Sequence, residues 1–352
     1  MSRRILLSGY YGFANAGDEA VLAGLLLSLR AGDTSAQLSV LSINPAETTA
    51  THTVRALHRY HPQALLPAIA RTDVLLSGGG SLLQDVTSAH GIFYYLGVVR
   101  AAQMLGKKTM FVAQGIGPLR RSRTRALVAG VANKLSAITV RDEASADLLR
   151  EIGVTRPPIE VTADPALLLG PEPLPRPEMG AFGVALRPWP GQAGLAARVA
   201  DACQIAFPEG QPRLLPMQPG SDNTPAEQFA AQWHQEGRAV FCFPETGLDA
   251  IIQSIGACQL IVGMRLHALI LAAACGVPSL ALSYDPKVAA FMAQSGQADA
   301  VYDLAQPPDE LAPLLARVWG AREARAEALR ARLPALREAA RRNAAVALSL
   351  LP

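Results

Sequence analysis

Two basic clusters in the second half of the chain have the residue types and spacing to hold an anion. In Gly263-Met264-Arg265-Leu266-His267-Ala268 a short apolar run gives way to an apolar helical run, so Arg265 and His267 fall in or beside a first helical turn. In Ser283-Tyr284-Asp285-Pro286-Lys287, Asp285 reads as an N-cap with proline at the first helical position, which sets Lys287 in the same kind of turn. Cations belong at helix C-termini, so Lys and His at N-termini are electrostatically misplaced unless an anion sits there. Lys287 is also the only lysine after Lys134, in a chain with 28 Arg and 4 Lys. A phosphorylated or carboxylated small molecule suits these groups. The plain alternative is a His267 satisfied in the core and a solvated Lys287.

The first half offers carboxylates and glycines. A β-like run leads into Gly9-Tyr10-Tyr11-Gly12-Phe13-Ala14-Asn15-Ala16-Gly17-Asp18-Glu19 and then a helical run, which places Asp18 and Glu19 at a helix start. Acids at an N-terminus also serve simply as favourable dipole charge. The glycine spacing does not match a GxGxxG dinucleotide loop. Two further β-like runs end in Gly78-Gly79-Gly80-Ser81-Leu82-Leu83-Gln84 and in Gln114-Gly115-Ile116-Gly117-Pro118, which suggests backbone pressed close to a ligand or another element. Arg141 and Arg187 each follow a strand-like run, Arg141 with Asp142 beside it and Arg187 with Trp189 two residues on. Pairing of Arg141 with Asp142, and a Trp189 that fills a core corner, are the alternatives to ligand contact.

These residues need strands and helices to carry them. Strand-like runs at 4–8, 38–43, 73–77, 109–113, 137–140 and 159–162 alternate with helical stretches, as do runs at 182–186, 213–216, 239–243, 260–262 and 279–283. Such alternation predicts an α/β protein with two Rossmann-like parallel-sheet domains. The stretch Gly170–Gly180, with four prolines and two glycines, reads as a linker. The expected domains are therefore 1–172 and 180–308, followed by C-terminal helices over 309–352 rich in Arg, Ala and Glu.

Composition narrows the function further. The 352 residues are 50% hydrophobic, enough for two packed domains, and a net charge of +3 without zinc-finger or RNP spacing argues against nucleic acid. Cys203, Cys242, Cys258 and Cys275 lie in apolar contexts without metal-ligand spacing, so buried thiols in a reducing compartment and no metal are expected. The start shows no export signal, and no run reaches the roughly 18 apolar residues of a spanning helix, which predicts a cytoplasmic protein.

Taken in order, Gly12–Glu19, Gly78–Gln84, Gln114–Pro118, Val140-Arg141-Asp142, Ala163-Asp164-Pro165, Gly263–Ala268 and Ser283–Lys287 resemble the polysaccharide pyruvyltransferase family, CsaB type. The resemblance implies two domains facing a cleft, similar to the glycosyltransferase B type, with no cofactor. It implies transfer of a pyruvyl group from phosphoenolpyruvate to a sugar as a ketal. In the CsaB branch that sugar is N-acetylmannosamine of a secondary cell-wall polysaccharide that later anchors S-layer proteins. The first domain would then be the acceptor side, with Asn15, Asp18, Glu19, Gly79, Gly80 and Gln114, and the second the donor side, with Arg187, Arg265, His267 and Lys287. Arg141, His267 and Lys287 carry over most directly as the anion-binding set. His267 would serve as acid or phosphate stabiliser and Asp18 as the base that orients a hydroxyl. Ala14 departs from the pattern, which has glycine there. The expected partners are phosphoenolpyruvate and a lipid-linked or nucleotide-linked amino sugar. A lipid-linked acceptor adds peripheral contact with anionic membrane, through tail arginines such as Arg337, Arg341 and Arg342. A nucleotide-sugar glycosyltransferase is the first alternative, although Glu245 alone does not make the glutamate-rich nucleotide segment it should carry. A non-catalytic binder of acidic glycan is the second.

Overall fold

A computed structural model describes residues 3–85, 89–234, 241–242 and 247–352. The chain forms two units, Met1–Leu168 with Arg337–Pro352, and Leu169–Leu336. The first contains β1 (Arg4–Ser8), α1 (Ala16–Gly32), β2 (Gln37–Ser42), α2 (Pro45–His52), β3 (Arg55–His58), α3 (Pro62–Arg71), β4 (Val74–Leu83), α4 (Ala89–Met104), β5 (Lys108–Ile116), α5 (Ser122–Ala132), β6 (Ala137–Val140), α6 (Glu143–Glu151) and β7 (Ile159–Val161). The second contains β8 (Ala181–Ala185), α7 (Leu195–Ala206), β9 (Gln211–Leu214), α8 (Asn223–His234), β10 (Phe241–Cys242), α9 (Leu248–Gly256), β11 (Leu260–Gly263), α10 (Leu266–Ala274), β12 (Ser279–Ser283), α11 (Pro286–Gln294), β13 (Val301–Asp303) and α12 (Leu311–Gly320). Helix α13 (Arg322–Ser349) begins in the second unit and ends in the first.

The sheets run β3-β2-β1-β4-β5-β6-β7 and β10-β9-β8-β11-β12-β13. Strand pairing is parallel throughout both. Strands covered on both faces should be apolar along their length and not alternating. Runs such as Ile5-Leu6-Leu7 and Leu260-Ile261-Val262 meet that requirement and are fully buried. The α/β reading holds. The short strands β3 and β13 lie outside the anticipated runs, and the run anticipated at 239–243 is described only at 241–242.

The helical tail expected over 309–352 is divided at Leu336. Beyond that point Ala344, Ala347 and Leu351 pack into the first unit's core with Ile5, Leu7 and Val40. Asn343, fully buried, donates to the Ala163 carbonyl at 2.9 Å and receives the Thr139 and Thr162 hydroxyls at 2.7 and 2.9 Å. The tail arginines are largely engaged: Arg325 and Arg317 on Asp299, Arg342 on Glu160, Arg341 on Glu338. Arg337 is buried. Among the described residues no helix is long and apolar enough to cross a membrane.

Cys203, Cys258 and Cys275 are buried, and Cys242 falls where no side chain is described. Burial pushes the Cys203 thiol far up and the Cys258 thiol up to about 12, so neither ionises near neutrality. At pH 7 the native protein should therefore show at most one thiol that reacts promptly with a disulfide reagent, and four after unfolding. Prompt reaction of two or more native thiols would contradict this packing.

Candidate functional site

In the first sheet β1 and β4 are neighbours, while the chain leaves them toward opposite sides. Ligands of doubly wound sheets bind beyond the carboxyl ends at such a switch point. There α1 starts with Asn15, whose side chain accepts from the Gly17 N–H at 3.0 Å. Glu19 is committed to the loop: one oxygen accepts from the Gly12 N–H at 2.7 Å and the other meets His52 Nε2 at 2.7 Å. Asp18 turns the other way, onto β4. Its Oδ1 lies 2.9 Å from where a Cβ would stand on Gly80, and the residue is 9% exposed. Tyr11 donates to the Gly78 carbonyl at 3.0 Å, and burial, then Asp18, hold its phenol well above its usual range. Ala14, where the family pattern has glycine, adopts φ +54°. The loop thus keeps a left-handed turn at a cost of about 1 to 2 kcal/mol.

Gly78, Gly79 and Gly80 do not form a loop after a strand ending at Ser77. They lie inside β4, with φ of +151°, +77° and +150°. A side chain on Gly79 would begin 2.4 Å from Val21 Cγ1, so the first turns of α1 rest on bare backbone. The neighbouring β5 is also irregular. Ala113 takes φ +45°, and the register with β6 shifts between Phe111 and Gln114. A bulge of this kind re-aims the next side chain. That side chain is Gln114, 1% exposed, and neither of its amide atoms has a hydrogen-bond partner among the described residues.

Arg141 is buried in the same unit and is not an exposed group paired with Asp142. Its Nη1 donates to Asp164 at 2.9 Å and its Nη2 to Ser81 Oγ at 2.8 Å, while Asp142 stands 3.9 Å from Nε and caps α6. Gly115 leaves room for it, since a Cβ there would lie 2.8 Å from Nη2.

In the second sheet the switch point falls between β8 and β11. The strands that carry Arg187, Arg265 with His267, and Lys287 are the adjacent β8, β11 and β12, so these residues share one sheet edge. In α10 every residue except His267 is buried, which leaves the imidazole as the polar group of an otherwise apolar helix at its first turn. Arg265 precedes that helix and grips Asp222, itself 1% exposed, through Nε at 2.9 Å and through Nη2. Lys287 meets the N-cap carboxylate of its own helix, Asp285, at 3.2 Å. The charge misplaced at that N-terminus is thus partly answered from within. Arg187 differs. Its Nη1 donates to Tyr284 Oη at 3.2 Å and its guanidinium lies 5.4 to 5.6 Å from the Tyr284 and Trp189 rings. It has no carboxylate partner among the described residues, and its buried Nε has no acceptor there. Trp189 is half-buried against Tyr284, with ring centroids 4.3 Å apart, and does not fill a core corner.

Several positioning residues had no sequence signal strong enough to single them out. Asp222 sits in a Pro-Gly-Ser turn where an acid looks like turn chemistry. His52 ends α2 and reads as a surface dipole group until its contact with Glu19 is seen. Arg59 follows the unanticipated β3 and donates to the Gly9 carbonyl at 2.9 Å, with its guanidinium 4.2 to 5.2 Å from the rings of Phe13, Tyr60, Tyr94 and Tyr95. The pattern His58-Arg59-Tyr60 beside Tyr94-Tyr95 was the available clue. Glu245 lies outside the described residues. Among the described residues no three His, Cys, Asp or Glu side chains group as a metal site.

Solved structures with the same fold span nearly the whole chain. UDP-GlcNAc 2-epimerase from Neisseria meningitidis, bound to UDP-GlcNAc, aligns with a TM-score of 0.65 at 12% identity, covering 98% of this chain and 99% of its own. Anabaena HepE in complex with UDP-glucose gives 0.65 at 13% identity with the same coverage. The lipopolysaccharide outer core galactosyltransferase WaaB gives 0.59 at 12% identity, again over 98% and 99%. These likenesses establish two parallel-sheet α/β domains of glycosyltransferase B kind. No match to the sequence is found among curated proteins. A family profile described as polysaccharide pyruvyl transferase matches residues 15–286.

Gln114 separates a ligand-binding from a structural role. An unsatisfied buried amide costs roughly 1 to 3 kcal/mol, so Gln114→Leu should leave stability to denaturant unchanged or higher. If the amide serves a ligand, the same variant should lose at least about tenfold in substrate use, or 1.4 kcal/mol. A destabilised Gln114→Leu protein with full activity would assign the residue to the core.

Proposed function

Because the chain belongs to the polysaccharide pyruvyl transferase family, we propose that it transfers the pyruvyl group of phosphoenolpyruvate to two hydroxyls of a sugar, forming a ketal and releasing phosphate. The observation that carries the donor assignment is Arg187, a guanidinium without a carboxylate partner among the described residues, at the second sheet's switch point and on the same edge as Arg265, His267 and Lys287. Phosphoenolpyruvate brings a phosphate and a carboxylate, and guanidinium groups match both. The reaction protonates the donor's methylene carbon, adds one sugar hydroxyl at the neighbouring carbon, expels phosphate and closes with the second hydroxyl. Of the two hydroxyl protons, one balances the new methyl group and one leaves on phosphate. His267 acts as acid or phosphate stabiliser. Asp18 orients or deprotonates a hydroxyl, and Asn15, Glu19, Gly79, Gly80 and Gln114 shape the acceptor side. Arg141, held by Asp164 and Ser81, is the first unit's own contact for an anionic group in this reading. N-acetylmannosamine of a cell-wall polysaccharide precursor, lipid-linked or nucleotide-linked, is the acceptor in this reading, and the reaction takes place in the cytoplasm. A second reading, glycosyl transfer from a nucleotide sugar, is favoured by the nucleotide-sugar complexes of similarly folded proteins.

Phosphate release from phosphoenolpyruvate, followed over a panel of lipid-linked and nucleotide-linked amino sugars, tests the assignment. Removing one partner of a desolvated charge contact costs roughly 2 to 5 kcal/mol. Arg187→Ala and Lys287→Ala should therefore weaken phosphoenolpyruvate use by about tens to thousands of fold without unfolding the chain. Asp18→Asn should lower turnover far more than donor affinity. Release of nucleoside diphosphate from a nucleotide sugar, with no phosphate from phosphoenolpyruvate, would establish the second reading.

Contact with anionic membrane follows if the acceptor is lipid-linked. Arg341 and Arg342 are 57% and 56% exposed, and exposed ion pairs such as theirs contribute little, so both can turn to headgroups. Salt-sensitive flotation with anionic vesicles is expected, reduced when both are replaced by Gln. Complete recovery in the unbound fraction at low salt would confine these arginines to packing.

A further inference from the structure

The amino edge of the first sheet holds a cationic pocket. Arg4, Gln37 and Arg55 are the first residues of β1, β2 and β3, and they border a pocket of about 400 Å³ beneath α3. That volume lies in the range of small-molecule sites, about 300 to 1,000 Å³. Arg71, the last residue of α3, completes the rim. Leu6 and Leu57 supply an apolar floor, and Pro67 lines the α3 wall. Pro67 has no N–H to give to the preceding turn, which loosens the helix where it covers the cavity.

The charge balance here differs from that around many of the chain's other arginines. Arg3, Arg125, Arg141, Arg213, Arg265 and Arg342 each have a carboxylate partner. Around this pocket the Arg4 guanidinium reaches only neutral acceptors, Gln37 Oε1 at 3.4 Å and the Arg71 carbonyl at 3.5 Å, while its backbone N–H donates to Asp73 at 2.8 Å. The side chains of Arg55 and Arg71 form no hydrogen bond or ion pair among the described residues. Among the described residues no carboxylate lines the pocket, and Asp73, next in sequence to Thr72 on its rim, is the acid at its border. Three guanidinium groups around one cavity repel one another until an anion joins them. Their planar donor forks suit phosphate oxygens, and the floor suits an apolar or aromatic body.

We propose that this pocket binds an organic phosphate with an apolar body, at a site separate from the one that carries the transfer reaction. The five residues of β1 span about 17 Å and lead from this edge to the loop that carries Asp18, too far for one small ligand to touch both.

Fluorescence titration of the full chain with 1-naphthyl phosphate tests it. Saturable binding is expected, with inorganic phosphate and 1-naphthol each at least tenfold weaker. The paired substitution Arg55→Gln and Arg71→Gln, both on exposed side chains, should weaken binding at least tenfold. Ala64→Trp, which fills the cavity without changing charge, should do the same. Lys287→Ala should leave binding unchanged. Absence of saturable binding, binding indifferent to both pocket variants, or binding lost in Lys287→Ala would overturn the proposal.

Discussion

The first unit's carboxyl edge depends on how closely α1 approaches the backbone of β4. A Cβ on Gly78 would stand 2.2 Å from the Val112 carbonyl, one on Gly79 2.4 Å from Val21 and one on Gly80 2.9 Å from Asp18. All three glycines also have positive φ, so a side chain there would be strained as well as obstructed. That bare stretch allows Tyr11 to reach the Gly78 carbonyl and Asp18 to lie over the strand end. Behind it, Val21, Leu22, Leu25, Leu26 and Leu29 form the inner face of α1 and much of one core. The position of the acid and the packing of the helix are therefore one constraint, and neither can shift alone.

Arg141, Arg265 and Lys287 obey a second rule, whereas the buried Arg59 is held by the Gly9 carbonyl and aromatic rings instead. A guanidinium withdrawn from water needs a counter-charge, and removing one partner of a buried pair typically costs about 3 to 5 kcal/mol. Asp164 supplies it for Arg141 and Asp222 for Arg265, while Asp285 stands beside the more exposed Lys287. These carboxylates fix the direction of each cation and also compete with any incoming anion. Arginine tolerates that competition better than lysine, because two of its five donors can be held while the others stay available. Arg187, held by a phenol and two aromatic rings, meets no such competition from a carboxylate among the described residues.

Much of this could be read from the sequence because parallel strands and helix starts leave strong local marks. Apolar runs such as Ile5–Leu7 announced strands, and Asp285-Pro286 announced a helix start that the structure places where expected. The glycine clusters were recognised as close approaches, but a local reading treats glycine as punctuation and so ended β4 and β5 too early. Strands β3 and β13, with four and three residues, are too short to carry a periodic signal. Counter-ions were the least visible part: Asp222 lies 43 residues from Arg265 and His52 lies 33 from Glu19, and only the folded chain brings them together. The grouping of Arg187, Arg265, His267 and Lys287 on one edge followed from strand order. Their individual orientations did not.

Helix α13 imposes an order on how the protein is completed during synthesis. The second unit, Leu169–Leu336, is one uninterrupted stretch of chain, whereas the first is built from segments on both sides of it. Its core includes Leu351, and the hydroxyls of Thr139 and Thr162 await Asn343. On a ribosome, where domains form as their residues emerge, the unit that begins to appear first must therefore be finished last. Until then its seven-stranded sheet carries an apolar surface and two buried hydroxyls waiting for a segment made after the whole of the other unit.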